Sequence, residues 1–480
     1  MIKISRPEIL WPSLAVVAVA AVGAWLRFRN LAVESLWFDE AVSWYQSKDS
    51  VADLISRTAD DNYPPLHNLL LYSSMKLFGD GEWPLRLPSA ILGTANILLV
   101  YWLGSLTIGR AAGLLAAAFL AFSVYHIYYS QEARMYALLA FTATLFAASS
   151  FYFFLSPSIA RAVLVCLSGL SLLYTHPFGA LNWIGLVMAF GACLILGKNT
   201  TRQTLKIWTA SNALAAACFA PWAWLILERA ADIQERGFWI PYPTAEYVLV
   251  QLLLVTSGPS LATLLAVGTM FAVLPARDVT GLERPKTTCS PIPVFILWAV
   301  LPVGIALLTS VVSTPIFRHR YLIGALPPLC LAAAYGFTRF AREWVGLAIV
   351  FAVCLAILVP SSVNHKRAQK QDWRGVAALL EQRLDPSDCV VIFRGYQVRG
   401  LSYYYRKKLG CRILSNKLKT LDVGGIESRR VFAIVAGGFA SQKKKLAASF
   451  ASEGWSLEKT FSFRKINVSL YVRPDQTGSP

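Results

Sequence analysis

The sequence predicts a polytopic α-helical membrane protein that ends in a small soluble α/β domain. Of its 480 residues, 56% are hydrophobic and 15% are charged, and the mean hydropathy is +0.50. These values are typical of membrane proteins and far from those of soluble globular domains. The apolar residues also gather into long runs, whereas the segment from Ser361 onward alternates short apolar stretches with polar ones.

About eleven apolar runs are long enough to cross a bilayer, which takes about 20 residues in helical form. They fall near residues 10–28, 84–106, 111–128, 135–155, 161–175, 178–196, 207–227, 246–273, 293–312, 321–338 and 345–360. The first run follows Lys3 and Arg6 and lacks a small-residue cleavage site, so we expect a retained signal anchor. Residues 1–360 are predicted to form the membrane domain.

The orientation follows from the basic residues of the short loops, which favour the cytoplasmic side. With the N-terminus inside, Arg110, Arg161, Lys198 and Arg339 all lie in inner loops. An odd number of spans then places the C-terminus outside. The basic charge of the tail does not oppose this, because long domains are translocated largely regardless of charge.

The first outer loop, about residues 29–83, is predicted to hold amphipathic helices. In "SVADLISRTADD" the residues Val51, Leu54, Ile55 and Thr58 follow helical spacing, which is typical of a helix in the interface plane. Pro64-Pro65 then turns the chain.

Residues 361–480 are predicted to form an extracytoplasmic α/β domain of doubly wound type, because predicted strands and helices alternate. Its helices are "DWRGVAALLEQRL", "VRGLSYYYRKK" and "SQKKKLAASFASEG", and its strands are "CVVIF", "VFAIVAGG" and "KINVSLYVR". The segment carries 22 lysines and arginines against 9 acidic residues. This charge fits either an anionic surface, such as lipid head groups, or plain solubilisation; nucleic acid is not an expected partner beside so many spans.

The eight cysteines show no zinc-binding spacing. Five of them lie in apolar runs and are interpreted as small core residues, namely Cys166, Cys193, Cys218, Cys330 and Cys354. Cys389 and Cys411 share the hydrophilic tail, where an oxidising compartment would allow them to pair. The sequence leaves that pairing open.

Three clusters of ionisable residues fall at the outer face once this topology is drawn. The first is Asp39-Glu40 in "ESLWFDEAVSWYQ", directly after the first span. The second lies in "YHIYYSQEARMYALLAF", at the outer edge between two later spans, and supplies His126, Gln131, Glu132, Arg134 and Tyr136. The third lies in "STPIFRHRYL", at another outer edge, and supplies Arg318, His319 and Arg320. Two further stretches, "DNYPPLH" and "EWPLRLPSA", add Asp61, His67, Glu82 and Arg86. A single charged loop residue means little, but joint placement on one face predicts a site.

Acids and cations together at the outer face fit one chemistry well. Nucleotide sugars are absent outside the cytoplasm, but a sugar can be carried there on a polyprenyl phosphate. Transfer to a hydroxyl needs a carboxylate to accept the proton and cations to stabilise the departing phosphate. A one-step inverting transfer needs no nucleophilic residue, by analogy with inverting glycosidases.

The segments "LWFDEA", "DNYPPLHNLLLYSSMKLFGDGEWPLRLPSAILG" and "YSQEARMYAL" together resemble the GT-C glycosyltransferases that use polyprenyl-phosphate sugars. Within that class the chain is similar to the bacterial protein O-mannosyltransferases and lipid A aminoarabinose transferases, over about residues 10–340. The resemblance implies that Asp39 is the catalytic base, that Glu40 positions the motif and that Glu132 is a second acid.

The resemblance further implies that Arg134 and Tyr136 bind phosphate or sugar, as would the basic residues of a late outer loop. The residues predicted to bind the donor are Gln131, Arg134, Tyr136, Arg86, His67, Arg318, His319 and Arg320. For the "FRHR" residues, interfacial snorkelling is the other reading. His176 before Pro177, like His126, has a ligand role or a structural role at a helix break.

The expected partners are the lipid-linked donor, membrane lipids and an acceptor that is a protein hydroxyl, a lipid A or core sugar of lipopolysaccharide, or another glycan. No cofactor is certain; a divalent metal is an option, because some GT-C enzymes bind one and others do not. The expected location is the bacterial inner (plasma) membrane, with the C-terminal domain in the periplasm. The alternatives are a transporter or flippase of a lipid-linked sugar, which would show inverted repeats and broken helices at the midplane, and a non-catalytic assembly subunit.

Overall fold

The computed structural model describes residues 7–196, 201–236, 240–256, 258–274, 289–340, 343–363, 370–415, 423–437 and 440–473. The chain forms two compact units. The helical unit comprises Met1–Arg29, Asp49–Leu77 and Arg86–Lys366. The α/β unit comprises Asn30–Lys48, Phe78–Leu85 and Arg367–Pro480.

The helical unit is built from long apolar helices and their short connections. Its helices are α1 (Pro7–Phe28), α3 (Val51–Asp60), α4 (Leu66–Phe78), α5 (Glu82–Thr107), α6 (Arg110–Ala121), α7 (Val124–Ser130), α8 (Tyr136–Leu155), α9 (Ile159–Leu173), α10 (Pro177–Leu196), α11 (Arg202–Arg236), α12 (Ala245–Val255), α13 (Pro259–Val273), α14 (Pro291–Val312), α15 (Leu326–Phe340) and α16 (Glu343–Val363). A 3-10 helix, His319–Ala325, leads into α15. The first turn of α5 belongs to the α/β unit.

The predicted membrane class is confirmed. Within the described residues, seven helices are long and apolar enough to cross a membrane, or up to nine if the bent pairs α6–α7 and α12–α13 each count as one span. Two shorter apolar helices, Leu14–Phe28 and Ile159–Leu173, correspond to two further predicted runs. Each predicted apolar run therefore has a helix or a bent pair of helices at its place.

Helix α8 lies in the core of the helical unit. It is apolar around its whole circumference, as expected of a helix that is surrounded by other helices. The packing of α13 on α15 depends on glycine, because a Cβ at Gly336 would clash with the carbonyl oxygen of Gly268. The two backbones therefore approach as closely as small-residue interfaces in membranes allow.

The amphipathic helix predicted in the first outer loop is α3, which begins at a Ser50 cap. Leu54 and Thr58 are buried, whereas Val51 at the start of the same face is exposed. The break predicted at Thr175-His176-Pro177 separates α9 from α10, because proline cannot continue the preceding helix.

The α/β unit contains a five-stranded sheet in the order β2-β1-β3-β5-β4. Its strands are β1 (Cys389–Phe393), β2 (Cys411–Ser415), β3 (Arg430–Ala436), β4 (Ser456–Phe463) and β5 (Ile466–Val472), and its helices are α2 (Phe38–Ser47), α17 (Trp373–Arg383), α18 (Val398–Tyr404) and α19 (Ala440–Ser452). Strand β1 pairs in parallel with β2 and β3, whereas β5 pairs antiparallel with β3 and β4.

The predicted α/β class of this domain is confirmed, but the sheet is mixed rather than doubly wound. The predicted strands correspond to β1, β3 and β5, and the sequence interpretation missed β2 and β4. Strand β4 is exposed along most of its length, as befits an edge strand, so it lacks the apolar alternation that marks a half-buried strand. The β4–β5 hairpin gives the antiparallel half of the sheet.

The residues that follow the first span pack within the α/β unit. Helix α2 contacts α18, and Trp44 of α2 meets Tyr403 of α18 edge to face, with 5.1 Å between the ring centroids. The division into a membrane domain (residues 1–360) and an α/β domain (residues 361–480) stays a prediction. The compact units group residues 30–48 and 78–85 with the C-terminal domain.

The cysteines form two disulfides among the described residues. Cys389 pairs with Cys411 across β1 and β2, which answers the question that the sequence left open. Cys193 packs against the core of the helical unit, as predicted, but it also pairs with Cys289, which the sequence interpretation did not predict. Apolar sequence context predicts burial of a thiol but not its partner 96 residues away in sequence.

Candidate active site

The helical unit gathers polar residues from the ends of several helices. They come from the residues before and within α4, from α5, from the connection between α7 and α8, from the connection between α9 and α10, and from the 3-10 helix before α15. These are stretches that the topology predicts at one membrane face. Ring contacts among Tyr63, Tyr136, His176 and Tyr321 join four of them.

Arg134 lies in the connection between α7 and α8 and is almost fully buried. Its guanidinium carbon lies 5.4 Å from the ring centroid of Tyr63, a cation–π distance. The main-chain carbonyl of Arg134 accepts a hydrogen bond from the Ser89 hydroxyl of α5 at 3.2 Å. The backbone at this position is therefore fixed to a neighbouring helix.

Arg320 approaches the same aromatic residues from the 3-10 helix. Its guanidinium lies 5.1 Å from the ring centroid of Tyr321 and 5.9 Å from that of Tyr136. It also donates a hydrogen bond to the Tyr321 hydroxyl at 3.2 Å. Arg134 and Arg320 thus both approach the aromatic cluster.

His176 lies among these rings, with centroid distances of 5.0 Å to Tyr321, 5.5 Å to Tyr63 and 6.2 Å to Tyr136. Its Nδ1 accepts the main-chain N–H of Phe178 at 2.9 Å, so Nδ1 carries no proton. Burial, and then the charges of Arg134 and Arg320, hold the pKa of His176 well below its usual range. The neutral ring therefore has its proton on Nε2, which is buried and has no hydrogen-bond partner among the described residues.

Three further predicted site residues of the helical unit are buried, namely His67, Arg86 and Glu132. Burial, and then the charge of Arg134, lower the pKa of His67 to about 3. His67 is therefore a neutral ring near neutral pH. Glu132 is fully buried and lies two residues before Arg134, so the α7–α8 connection carries a carboxylate and a guanidinium close together in sequence.

His319 is tied to two helices. Its main-chain N–H and its Nδ1 lie 3.0 and 2.7 Å from the side-chain oxygen of Gln251 in α12, which accepts both. The carbonyl of His319 accepts the hydroxyl of Tyr125 in α7. These bonds give His319 a role in placing the half-buried Arg318 and Arg320 on either side of it.

Gln131 was predicted as a donor-binding residue, and its amide is engaged at a helix end. It donates to the main-chain carbonyls of Leu26, Arg27 and Arg29 at 2.8, 3.2 and 3.3 Å. The last carbonyls of a helix lack partners within the helix, so this contact caps the C-terminal end of α1.

Asp39 and Glu40 lie in the α/β unit, in the first turn of α2. Asp39 is half-buried. Glu40 is fully buried, and its Oε1 pairs with Nζ of Lys370 at 3.0 Å. Lys370 was not singled out from the sequence, because a lysine in a basic segment carries no signal that it pairs with an acid more than 300 residues earlier.

Sequence interpretation also missed the aromatic cluster. Tyr63 and Tyr321 each flank predicted site residues, and both lie at helix starts where interfacial aromatics are common. His176 carried the one usable signal, since it stands at a predicted helix break directly before proline. Within the described part of the chain, no group of three or more His, Cys, Asp or Glu side chains is arranged to hold a metal ion.

Comparisons with known proteins give one family and several similar folds. Residues 62–225 match the model of the dolichyl-phosphate-mannose-protein mannosyltransferase family. A search among curated protein sequences finds no match.

The solved structures with a similar fold include ArnT from Cupriavidus metallidurans bound to undecaprenyl phosphate, with a TM-score of 0.62 at 14% identity, over 98% of this chain and 99% of that one. The oligosaccharyltransferase of Archaeoglobus fulgidus in complex with Zn and sulfate has a TM-score of 0.59 at 13% identity, over 93% of this chain and 72% of its own. Arabinofuranosyltransferase AftD from Mycobacteria has a TM-score of 0.53 at 13% identity, over 98% of this chain and 42% of its own.

These identities are too low to show more than the fold, whereas the family model matches part of the sequence itself. The predicted resemblance is confirmed: the chain is a multi-pass membrane protein with the fold of these solved GT-C structures, and residues 62–225 match the mannosyltransferase family model.

Proposed function

We propose that this chain is an integral-membrane glycosyltransferase that moves a sugar from a polyprenyl-phosphate carrier to a hydroxyl of an acceptor. The reaction takes place on the extracytoplasmic face of a bacterial inner (plasma) membrane, with the N-terminus in the cytoplasm and the C-terminal domain in the periplasm. Two proteins of similar fold support the choice of carrier, because ArnT is bound to undecaprenyl phosphate and the archaeal AglB to a dolichol phosphate.

The observation that carries the proposal is an excess of buried positive charge. Among the described residues of the helical unit, the buried charged side chains are Arg27, Arg86, Arg134 and Glu132. Arg27 donates hydrogen bonds to the main-chain carbonyl of Gly23 within α1 and to those of Leu120 and Ala121 at the C-terminal end of α6. With Arg27 set aside, Arg86 and Arg134 carry two positive charges against the single negative charge of Glu132, and this net positive charge favours an anionic ligand.

Phosphate is the anion that best fits the arginines beside the aromatic cluster, Arg134 and Arg320. A guanidinium presents N–H groups in a planar fork that matches two phosphate oxygens at once. Arg134 and Arg320 both lie against the rings of the aromatic cluster, so a phosphate held by them would place its sugar beside flat apolar faces. Tyrosine rings offer such faces together with a polar edge.

The proposed reaction is a single inverting displacement. The acceptor hydroxyl gives its proton to the Asp39 carboxylate while its oxygen forms a bond to the anomeric carbon of the sugar. The bond from that carbon to the phosphate oxygen breaks, and the phosphate leaves with the electron pair. Arg134 and Arg320 stabilise the charge of the leaving phosphate, Glu40 holds the helix turn that carries Asp39, and Glu132 is the second acid.

The acceptor is a protein hydroxyl, a lipid A or core sugar, or a cell-wall glycan, and the sugar is a hexose or a pentose. The lipid-linked sugar that copurifies with the protein from its native membrane, identified by mass spectrometry, names the donor. The masses of the reaction products then name the acceptor.

The test of the proposal is Asp39→Asn in purified full-length protein in lipid nanodiscs. Loss of the general base is expected to lower single-turnover transfer roughly 100- to 10,000-fold. Donor binding is expected to stay unchanged, because Asn keeps the size of the side chain. Transfer by Asp39→Asn at the wild-type rate would contradict Asp39 as the base. Wild-type protein that moves the lipid-linked sugar across the bilayer without any covalent transfer would support the transporter instead.

A further inference from the structure

The turn that carries Asp39 is fastened by side chains at three consecutive main-chain N–H groups. The N–H of Leu36 donates to the Tyr404 hydroxyl at 2.7 Å, and the N–H of Phe38 donates to the side-chain oxygen of Gln371 at 3.1 Å. Between them, the N–H of Trp37 donates to Oε2 of Glu40 at 3.4 Å. The first N–H groups of a helix have no partner within it, so these bonds decide where α2 begins.

Glu40 is the centre of this arrangement because it uses both carboxylate oxygens. Oε2 accepts from the Trp37 N–H, and Oε1 pairs with Lys370 at 3.0 Å. The side chains of Glu40 and Lys370 are 0% and 7% exposed. Water therefore has little access to either partner, and removal of one takes the ion-pair partner away from a buried charge.

Lys370 is itself held close to the core of the α/β unit. Its neighbour Gln371 accepts from Nε1 of Trp373 at 3.2 Å, and the Trp373 ring is fully buried in that core. Hydrogen bonds thus run from the core tryptophan through Gln371 to the N–H of Phe38. These hydrogen bonds fix the first turn of α2 relative to the core of the α/β unit.

We propose that Lys370 is a positioning residue for Asp39: its buried ion pair with Glu40 fixes the turn of α2 in the geometry in which Asp39 acts as base. This inference rests on the proposed role of Asp39. A hydrophobic pair of similar size would often be no less stable than a buried ion pair. The pair therefore has a reason beyond stability, since charge and hydrogen bonds together allow one register of the turn.

The test is Lys370→Met in the full chain, with transfer measured at saturating donor and with the Kd of polyprenyl phosphate measured separately. Turnover is expected to fall on the order of 100-fold, which a displacement of about 1 Å can cause. The Kd of polyprenyl phosphate is expected to stay at its wild-type value. Lys370→Arg keeps the positive charge and is expected to recover most of the loss. The matched control is Arg406→Met, which breaks the exposed Arg406–Asp80 pair of the same unit (2.8 Å) and should leave turnover unchanged.

Two outcomes would overturn the inference. One is wild-type turnover by Lys370→Met; the other is a joint loss of turnover and of polyprenyl-phosphate binding that Lys370→Arg does not reverse. If Lys370→Met fails to fold, the double variant Glu40→Gln/Lys370→Met removes both buried charges and takes its place, with the same expected loss. Wild-type turnover by that variant would likewise overturn the inference. Asp39→Asn separates the two levels, because full activity of that variant refutes the base itself.

Discussion

At the scale of single residues, the hydrogen bonds of His176 indicate a ligand contact that the sequence alone does not. Its Nδ1 is used by the Phe178 N–H, and its Nε2–H faces a buried aromatic cluster without a partner in the described structure. A buried donor without an acceptor costs free energy, so such groups are rare in folded proteins. We therefore expect this N–H to bind an oxygen of the donor when the donor is present.

The variant His176→Asn is expected to weaken binding of polyprenyl phosphate roughly 10- to 100-fold, the value of one hydrogen bond to a charged group. Asn keeps an acceptor near the position of Nδ1 for the Phe178 N–H but has no group near Nε2. The matched control is His176→Gln, whose amide nitrogen lies near the position of Nε2 and is expected to bind more tightly than Asn. Titration of both variants with polyprenyl phosphate, and with inorganic phosphate, checks this.

Equal affinities of the wild type, the Asn variant and the Gln variant would assign His176 a purely structural role. Loss of affinity for the complete donor alone, with polyprenyl phosphate bound normally, would move the contact from the phosphate to the sugar.

At the scale of elements, the packing of α13 against α15 is set by two glycines. The Cβ of any larger residue at Gly336 would meet backbone atoms of Gly268, and backbone cannot move aside as a flexible side chain can. The contact thus depends on the absence of a side chain, and a hydropathy pattern that treats both residues as mildly apolar cannot show it.

Gly336→Val is therefore expected to destabilise the protein by about 1–3 kcal/mol, the usual cost of overpacking a filled interior. Gly304→Ala in α14 is the matched control, because a Cβ there meets no atom within 4 Å. Thermal unfolding of the two purified variants in the same detergent checks the difference. Equal midpoints for the two variants would show that α13 and α15 have room to separate.

At the scale of the whole molecule, the topology makes a prediction that is independent of any residue's role. The basic short loops and the odd number of predicted spans place the C-terminus outside the cytoplasm. A reporter that is active only in the cytoplasm, fused after Pro480, is expected to be silent in cells. An export-dependent reporter at the same position serves as its control. Strong cytoplasmic signal would mean that one span was miscounted or that the protein is inverted.

Hydropathy was sufficient to predict the helices because each span must satisfy its own backbone hydrogen bonds inside the bilayer. For that reason the predicted runs and the observed helices coincide along the chain, and the bend at Thr175-His176-Pro177 was legible from its proline. The α/β class of the C-terminal domain could also be predicted, because its strands and helices have local sequence patterns. The exposed edge strand β4 and the mixed sheet could not.

For the candidate site, too, one part could be predicted from the sequence and another part could not. The sequence by itself determined the membrane class, the helix positions and the set of charged residues at the helix ends, because these follow from local composition. Only the tertiary structure decided which residues meet: Tyr63 with Arg134, Tyr136 with Arg320 and Glu40 with Lys370. Each pair joins segments far apart in the chain, and the free energy that selects such partners comes from burial and charge pairing in the folded state, which local sequence does not record.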